Sequence, residues 1–277
     1  MTISVTPALV LQNINVTFPA NPNLKNNTAY TAVRDATLVV ADGEFVSIVG
    51  PTGCGKSTLL NVAAGLLKQT SGHVIVFGES LSGLNKYAGY MFQAESLMPW
   101  RSACDNVAAG LQFRGVAKAE ARTQALAWLA RVGLDGFGDR YPHQLSGGMR
   151  KRCALAQMLI LDPKILLMDE PFSALDVQTR QLMENELLAL WEADKKSVVF
   201  ITHDLEEAIS MSDRVVVLSA GPATHPIGEF IIDLPRPRDV AEIRMTPQFL
   251  KLHAQIWAAM KEEVLKGYAQ TRNKLAE

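Results

Sequence analysis

A strong charge bias is missing from this sequence: 27 Lys and Arg stand against 28 Asp and Glu, a formal net charge of −1. Nucleic-acid binders usually carry a marked basic excess, so the balance argues against nucleic acid as a partner. Cysteine is scarce; its three copies, Cys54, Cys104 and Cys153, form no close pair and make an odd count. That speaks against a disulfide framework and fits a reducing compartment. Metal-ligand spacings of Cys and His are absent, as are internal repeats and low-complexity tracts. No apolar run reaches the ~18 residues of a membrane-spanning helix. The longest candidate, 153–168, is broken by Asp162, Pro163 and Lys164. The N-terminal "MTISVTPALVLQ" has no basic region ahead of an apolar stretch, so no secretion signal is expected. The expectation is a soluble, cytoplasmic chain that reaches a membrane only by docking on another protein.

What is present is an ordinary globular composition, 48% hydrophobic and 20% charged over 277 residues. That suffices for one large or two small domains with a real core. Residues 9–18, "LVLQNINVTF", alternate as a half-buried strand does, and the Asn- and Pro-rich 19–29 reads as a loop. "TLVVADGEFVSIVG" predicts two strands around an Asp42-Gly43 turn, the second, 45–49, apolar on both faces like a buried parallel strand. A Gly-rich loop and a helix over about 55–67 follow, then short strands near 73–77 and 88–92. "ILLMDE" (165–170), "SVVFITH" (197–203) and "RVVVLS" (214–219) give three more buried strands, with helical patterns at 177–194 and 204–211. That alternation predicts an α/β fold on a parallel sheet. The helical stretch 103–161 interrupts it as an inserted subdomain, and 247–270 reads as one or two terminal helices.

"GPTGCGKS" at 50–57 fits G-x-x-x-x-G-K-[ST], with Gly50, Gly55, Lys56 and Ser57 in the defined places. A chance match somewhere in a chain this long has a probability of roughly 1% at average composition. Glycines let the backbone curl so that successive N–H groups face a phosphate. Lys56 would reach the β and γ oxygens and Ser57 would ligate Mg²⁺. Cys54 lies inside the loop, so its alkylation is expected to block nucleotide binding and MgATP to protect it.

"KILLMDEP" ends its strand on Asp169 and Glu170, at the edge where parallel α/β sheets bind ligands. Asp169 would hold Mg²⁺ and Glu170 would polarise an attacking water; the plain alternative is a solvated turn. His203 ends the next strand, where it either touches the γ-phosphate or is structural. Gln93 ends the strand near 88–92 and is a neutral donor and acceptor for Mg²⁺ and water, or only a polar loop residue. In "YPHQLSGGMRKR" (141–152), Ser146 and two glycines form a second amide-rich helix start, followed by Arg150, Lys151 and Arg152. Cations are disfavoured in a helix's first turn, so their presence there needs a reason.

The P-loop 50–57, Gln93, "LSGGM" 145–149, "ILLMDE" 165–170, "SALD" 173–176 and His203, in this order, resemble the ATP-binding cassette (ABC) family. The resemblance covers roughly 9–235. It implies a P-loop NTPase (RecA-like) parallel sheet core with an N-terminal antiparallel β subdomain, an inserted α-helical subdomain at 94–161 and a C-terminal helical extension at 236–277. It implies an ATPase working as a head-to-tail homodimer, each ATP lying between the P-loop of one copy and the signature helix of the other. Nucleotide contacts would come from Gly50, Pro51, Thr52, Gly53, Cys54, Gly55, Lys56, Ser57, Thr58 and Asp176, with Ser146, Gly147 and Gly148 meeting the second copy's nucleotide. Mg²⁺ would sit on Ser57, Gln93 and Asp169; Glu170, His203, Lys56 and Gln93 would carry the chemistry. An upstream aromatic usually stacks on adenine in the family. Phe18 matches that position, Tyr30 is the rival, and both are open to a plain packing role.

"LMPWRSACDNV" (97–107) and "LPRPRD" (234–239) look like the nitrate/sulfonate/taurine group of importers. That likeness implies a permease docked near Gln93–Arg101, an external solute-binding protein reached through it, and residence on the cytoplasmic face of the inner membrane. Trp100 would be a docking anchor or else a core residue of the subdomain. A cassette starting near residue 9 is expected to be unfused to membrane domains, and the short tail to lack a large regulatory domain. Two departures stand out: the signature ends in Met149 instead of Gln, and Gln157 replaces an Arg usual in the family. The alternatives are an export-linked cassette and a soluble non-transport ATPase. The short stretch between Ser57 and Ser146 leaves no room for the long coiled coil of repair-type members.

Overall fold

The computed structural model describes residues 6–20, 28–94, 96–173 and 175–276, with side chains to Ala269. Most of the expected loop at 19–29, and Ala174 of "SALD", lie outside the described residues. In chain order the first half holds β1 (Leu9–Phe18), β2 (Tyr30–Val40), β3 (Phe45–Val49), α1 (Lys56–Ala63), β4 (Ser71–Val76), β5 (Glu79–Ser80), β6 (Ala88–Met91), α2 (Ala103–Phe113) and α3 (Lys118–Arg131). A 3-10 turn (Pro142–Gln144) precedes α4 (Gly147–Leu159), β7 (Ile165–Asp169), α5 (Val177–Ala193), β8 (Ser197–Ile201) and α6 (Leu205–Met211). Then come β9 (Arg214–Leu218), β10 (Pro226–Ile231), α7 (Val240–Ile243) and α8 (Pro247–Ala276). The chain divides into two compact units, Met1–Lys86 with Lys195–Glu277, and Tyr87–Asp194.

The first unit contains an antiparallel sheet ordered β2-β1-β4-β5. Leu9, Leu11, Ile14 and Val16 of β1 are buried, as its alternation predicts. Its second sheet has β3 between β8 and β9, both parallel to it, with β10 antiparallel on β9. Every residue of β3 and β8 is buried, which is why both read as continuous apolar runs. The Asp42-Gly43 turn passes the chain from one sheet to the other. α1 stops earlier than the expected 67 because the backbone turns at Gly65, whose φ is +70°. A Cβ there would stand 2.0 Å from the Gly83 carbonyl oxygen, so no other residue fits.

α8 seals one face of this sheet. Phe249, Ile256 and Met260 pack with Leu205, Ile209, Val215 and Val217 in a single core. The "LPRPRD" stretch holds the approach to it. The buried Arg238 guanidinium donates to the carbonyls of Ser212 (2.7 Å) and Ser210 (3.2 Å), where α6 has run out of intrahelical donors, and to that of Leu234 (3.0 Å). Arg236 pairs with Asp213 at 2.8 Å.

The second unit is mainly helical, as expected for the stretch before Leu161. Cys104, Val107, Leu129, Leu145, Cys153 and Ala156 belong to one core formed by α2, α3 and α4. Its two strands, β6 and β7, run parallel in the register Ala88↔Ile165 to Met91↔Met168. Both therefore end on the same edge, which brings the residues following Met91 and Met168 together.

Candidate nucleotide site

In the first unit, β3 delivers the chain into the loop 50–55 and α1 carries it away. Gly53 and Gly55 have φ of +73° and +121°, conformations that L side chains rarely adopt. A Cβ at Gly55 would also stand 2.9 Å from Thr224 Cγ2 and 3.2 Å from the Ala32 oxygen. The two glycines let the loop curl tightly, and the Cys54 N–H closes it on the Pro51 carbonyl at 3.3 Å. Lys56 opens α1, is 5% exposed, and donates from Nζ to the carbonyls of Gly50 (2.9 Å) and Pro51 (3.0 Å). Ser57 and Thr58 continue the first turn, whose N–H groups lack helical acceptors.

Cys54 points inward. It is 1% exposed, its Sγ would lie 3.2 Å from a Cβ at Gly50, and burial raises its pKa against the opposing pull of Lys56. Cys104 and Cys153 are equally buried, with thiols raised first by burial, Cys153 to about 12. Attack needs the thiolate. The native chain is therefore expected to show no fast-reacting thiol toward a disulfide reagent, and all three after denaturation. A fast native thiol protected by MgATP would mean that the loop opens Cys54 to solvent.

His203 follows β8 and is exposed beside the same loop. A cavity of about 450 Å³ is lined by Gly50, Pro51, Thr52 and His203 on one side and by α8 on the other. Its neighbours fix the His203 backbone: buried Thr202 donates to Glu207 at 2.5 Å, and Asp204 caps α6 through the N–H groups of Glu206 and Glu207. The two adenine candidates prove to be cross-strand neighbours. Phe18 and Tyr30 face each other at the open end of the β1–β2 ladder, 40% and 42% exposed.

In the second unit, the common edge of β6 and β7 joins two residues that are far apart in sequence. Gln93 Nε2 donates to Glu170 Oε2 at 3.1 Å. Asp169, 7% exposed, ends β7 just before Glu170. Glu170 has a φ of +43°, and its carbonyl is held by the N–H and hydroxyl of Ser173. Burial, reinforced by Asp169, pushes the nearby Tyr90 phenol well above its ordinary pKa. Asp176 serves α5 as N-cap; the Thr179 N–H it accepts is the main cause of its lowered pKa.

The signature helix α4 starts on Ser146, whose Oγ accepts from the Met149 N–H at 3.3 Å. The basic run behind it is used within the unit. Arg150 donates to the Leu145 carbonyl at 2.6 Å and Arg152 reaches Glu186 at 3.3 Å. Lys151, 5% exposed, donates to the Gln93 carbonyl at 2.9 Å. At the departing position, Gln157 donates to the Asn106 carbonyl at 3.2 Å. Asn106, fully buried, organises the turn ahead of α2. It accepts from the Met98 N–H at 2.7 Å and donates to the carbonyls of Met98, Arg101 and Ser102. That turn holds Trp100 outward, 73% exposed, so Trp100 is not a core residue.

The family model for "ABC transporter" matches residues 33–173. An uncharacterised ABC transporter ATP-binding protein of Methanocaldococcus jannaschii is 45% identical over 260 residues, 94% of this chain and 93% of that protein. The chain belongs to the ABC transporter family. Within it, the chain is an ATP-binding, ATP-hydrolysing subunit. The taurine import ATP-binding protein TauB of Rhizobium johnstonii is 43% identical over 83% of this chain and 88% of its own length. Among solved structures, the cassette MJ0796, a dimer in a post-hydrolysis state bound to ADP and Pi, superposes with a TM-score of 0.72 at 32% identity. It covers 82% of this chain and 100% of its own. The antiparallel β sheet, the sheet built on β3 and the helical unit are thus parts of an ABC ATPase fold.

Three features of this ABC ATPase escaped sequence reasoning. Asn106 and Lys151 are ordinary helix residues by composition, and only the folded turn shows what they bind. α8 gave a helical pattern without any sign that it reaches the P-loop. Its one available signal was the apolar spacing Trp257, Met260, Val264, which marks an apolar face but not its partner. No helix among the described residues is long and apolar enough to cross a membrane.

Proposed function

We propose that two copies of this ABC ATPase bind MgATP head to tail on the cytoplasmic face of a membrane and drive import of a nitrate-, sulfonate- or taurine-type solute through a docked permease. The observation that carries the import reading is the likeness to a taurine import ATP-binding protein over 83% of the chain. ATP binding and dimerisation are supported by the MJ0796 cassette, whose solved form is dimeric with ADP and Pi.

The residues suit the ligand. The two positive-φ glycines and the first turn of α1 present amides to the β-phosphate, and Lys56 adds the charge that a triphosphate requires. Ser57 in the first unit, and Gln93 and Asp169 in the second, carry a hydroxyl, an amide and a carboxylate oxygen, donors of the kind Mg²⁺ prefers; they would hold the ion, whose charge would offset that of the phosphates. Glu170 accepts the proton of the attacking water. Gln93 keeps the Glu170 carboxylate oriented through their hydrogen bond. His203, on the cavity lined by Gly50–Thr52, contacts the γ-phosphate, and Phe18 or its neighbour Tyr30 stacks on adenine.

The signature glycines support the dimer in different ways. At Gly148 a Cβ would meet Thr179 Cγ2 at 2.6 Å, so the chain itself demands glycine. At Gly147 a Cβ would meet nothing within 4 Å. Close approach of the second copy's triphosphate to the amides of α4 supplies a reason for glycine there. Trp100, on its Asn106-bound turn, offers the permease a large apolar anchor.

Reconstitution tests the reading. The chain and its permease are placed in vesicles with ATP on the chain's side and, on the other, the solute-binding protein with taurine, an alkanesulfonate or nitrate. One of these solutes is expected to accumulate on the ATP side, and Trp100→Ala to lower permease co-purification about tenfold while free ATPase activity persists. Solute moving away from the ATP side would overturn import.

A further inference from the structure

We propose that Glu263 is a positioning residue for nucleotide binding: through it α8 braces the floor of the phosphate loop in the conformation that binds ATP. The proposal rests on assigning the phosphate site to Gly50–Ser57 and gives a function to the C-terminal helix, which lies outside the matched family region.

Glu263 is 9% exposed, and its Oε2 accepts from the Ala220 N–H at 2.6 Å. Its other oxygen pairs with Lys266 at 2.5 Å. The two bonds use both carboxylate oxygens, and Lys266 keeps the carboxyl ionised, so the bond from the Ala220 N–H is a charge-assisted one. Lys266 is the chief cause, and the Ala220 N–H a further one, that holds this carboxyl below its usual pKa.

Ala220 opens the loop that underlies the phosphate cradle. At the next residue, Gly221, a Cβ would lie 3.4 Å from both Cys54 Cα and the Cys54 oxygen, so the two backbones are stacked. Thr224 then fills the space under Gly55, where its Cγ2 would lie 2.9 Å from a Cβ. Thr224 is itself held by the Ala32 carbonyl (3.0 Å) and by its own hydroxyl donating to the Ser219 carbonyl (2.8 Å). Glu263 therefore fixes α8 to a segment that the cradle rests on.

A second contact reaches the cradle directly. A Cβ at Gly267 would lie 3.2 Å from Pro51 Cβ, so α8 passes almost against the loop. Trp257, Met260, Val264 and Tyr268 of the same helix line the cavity that Gly50–Thr52 and His203 close on the other side. The helix is thus in contact with both the floor and the rim of the loop.

The test uses the full chain and four substitutions, with the MgATP concentration dependence of hydrolysis measured beside melting temperature. Glu263→Ala is expected to raise KM about tenfold and leave kcat within threefold. Glu263→Gln, whose amide oxygen still accepts from Ala220, is expected to return KM to within about threefold of native. Gly267→Ala separates positioning from stability, because alanine favours the helix while its methyl presses on Pro51. It is expected to raise the melting temperature and yet raise KM about threefold. A helix that only stabilises the fold gives the opposite: Glu263→Ala melts lower at native KM, and Gly267→Ala melts higher at native KM. That pattern overturns the proposal, and the Gly267→Ala arm decides alone if Glu263→Ala does not fold. Lys56→Met is the control. If it leaves ATP binding within threefold of native, the phosphate-site assignment on which the brace rests loses Lys56 and fails with it; if it weakens binding about a hundredfold while Glu263→Ala and Gly267→Ala keep native KM, only the brace fails.

Discussion

Glu170→Gln leaves MgATP binding within about threefold of the native protein and cuts hydrolysis by at least a hundredfold, the range expected for loss of a general base. The substitution is isosteric. The amide oxygen of Gln still accepts from Gln93 Nε2, now at 3.1 Å from Oε2, so the residue stays oriented. The backbone penalty is unchanged as well. A φ of +43° costs any non-glycine residue roughly 1–2 kcal/mol, and Glu and Gln share it. What disappears is the negative charge that draws a proton from water. In the proposed dimer, hydrolysis is also the step that separates the two copies, so the variant is expected to elute as a dimer with MgATP and as a monomer without it. Phosphate release and size-exclusion chromatography read the two effects. Hydrolysis within tenfold of native would place the base elsewhere; hydrolysis lost without a dimer would separate Glu170's chemistry from the head-to-tail model.

Much of the fold was legible because its core strands are buried on both faces. The runs 45–49, 165–169 and 197–201 are five residues long and fully buried, so continuous hydrophobicity located them. β10 left no such mark. It is an antiparallel edge strand, half buried in alternation, and begins with Pro226. The opening of β2 at Tyr30 was hidden in the same way, since its first residues are exposed or partly so. The site divides along a similar line. The phosphate loop is a contiguous motif, and its glycines carry their conformational requirement in the sequence. The bond between Gln93 and Glu170 is a product of strand pairing, since only the β6–β7 register puts two residues 77 positions apart within reach. The basic run after the signature left a question open for an electrostatic reason. Cations in a first turn are unfavourable unless something accepts from them, and the acceptors, the carbonyls of Leu145 and Gln93, are backbone groups that no sequence pattern displays.

Lys56→Met is expected to act on the other half of the reaction, weakening MgATP binding about a hundredfold. Hydrogen bonds to charged groups contribute about 1.5–3 kcal/mol each, and each 1.4 kcal/mol is tenfold in affinity. An ammonium reaching both β and γ oxygens therefore accounts for roughly 3 kcal/mol. In this structure its Nζ is held by the loop itself, donating to the Gly50 and Pro51 carbonyls at 2.9 and 3.0 Å. Methionine has nearly the same length and an apolar stem, so it fills a site that is 5% exposed without opening a cavity. It does leave those two carbonyls without this donor, and about 1–3 kcal/mol of stability should go with them. The two losses are measured separately: equilibrium binding of MgATP for the first, melting temperature without nucleotide for the second. A stability loss with binding within threefold of native would reduce Lys56 to a structural clip of its own loop and overturn the assignment of the phosphate site to it. The contrast with Glu170→Gln then becomes diagnostic. One variant keeps nucleotide and cannot turn it over, the other cannot hold it, and only a residue pair divided between charge recognition and proton transfer produces both results.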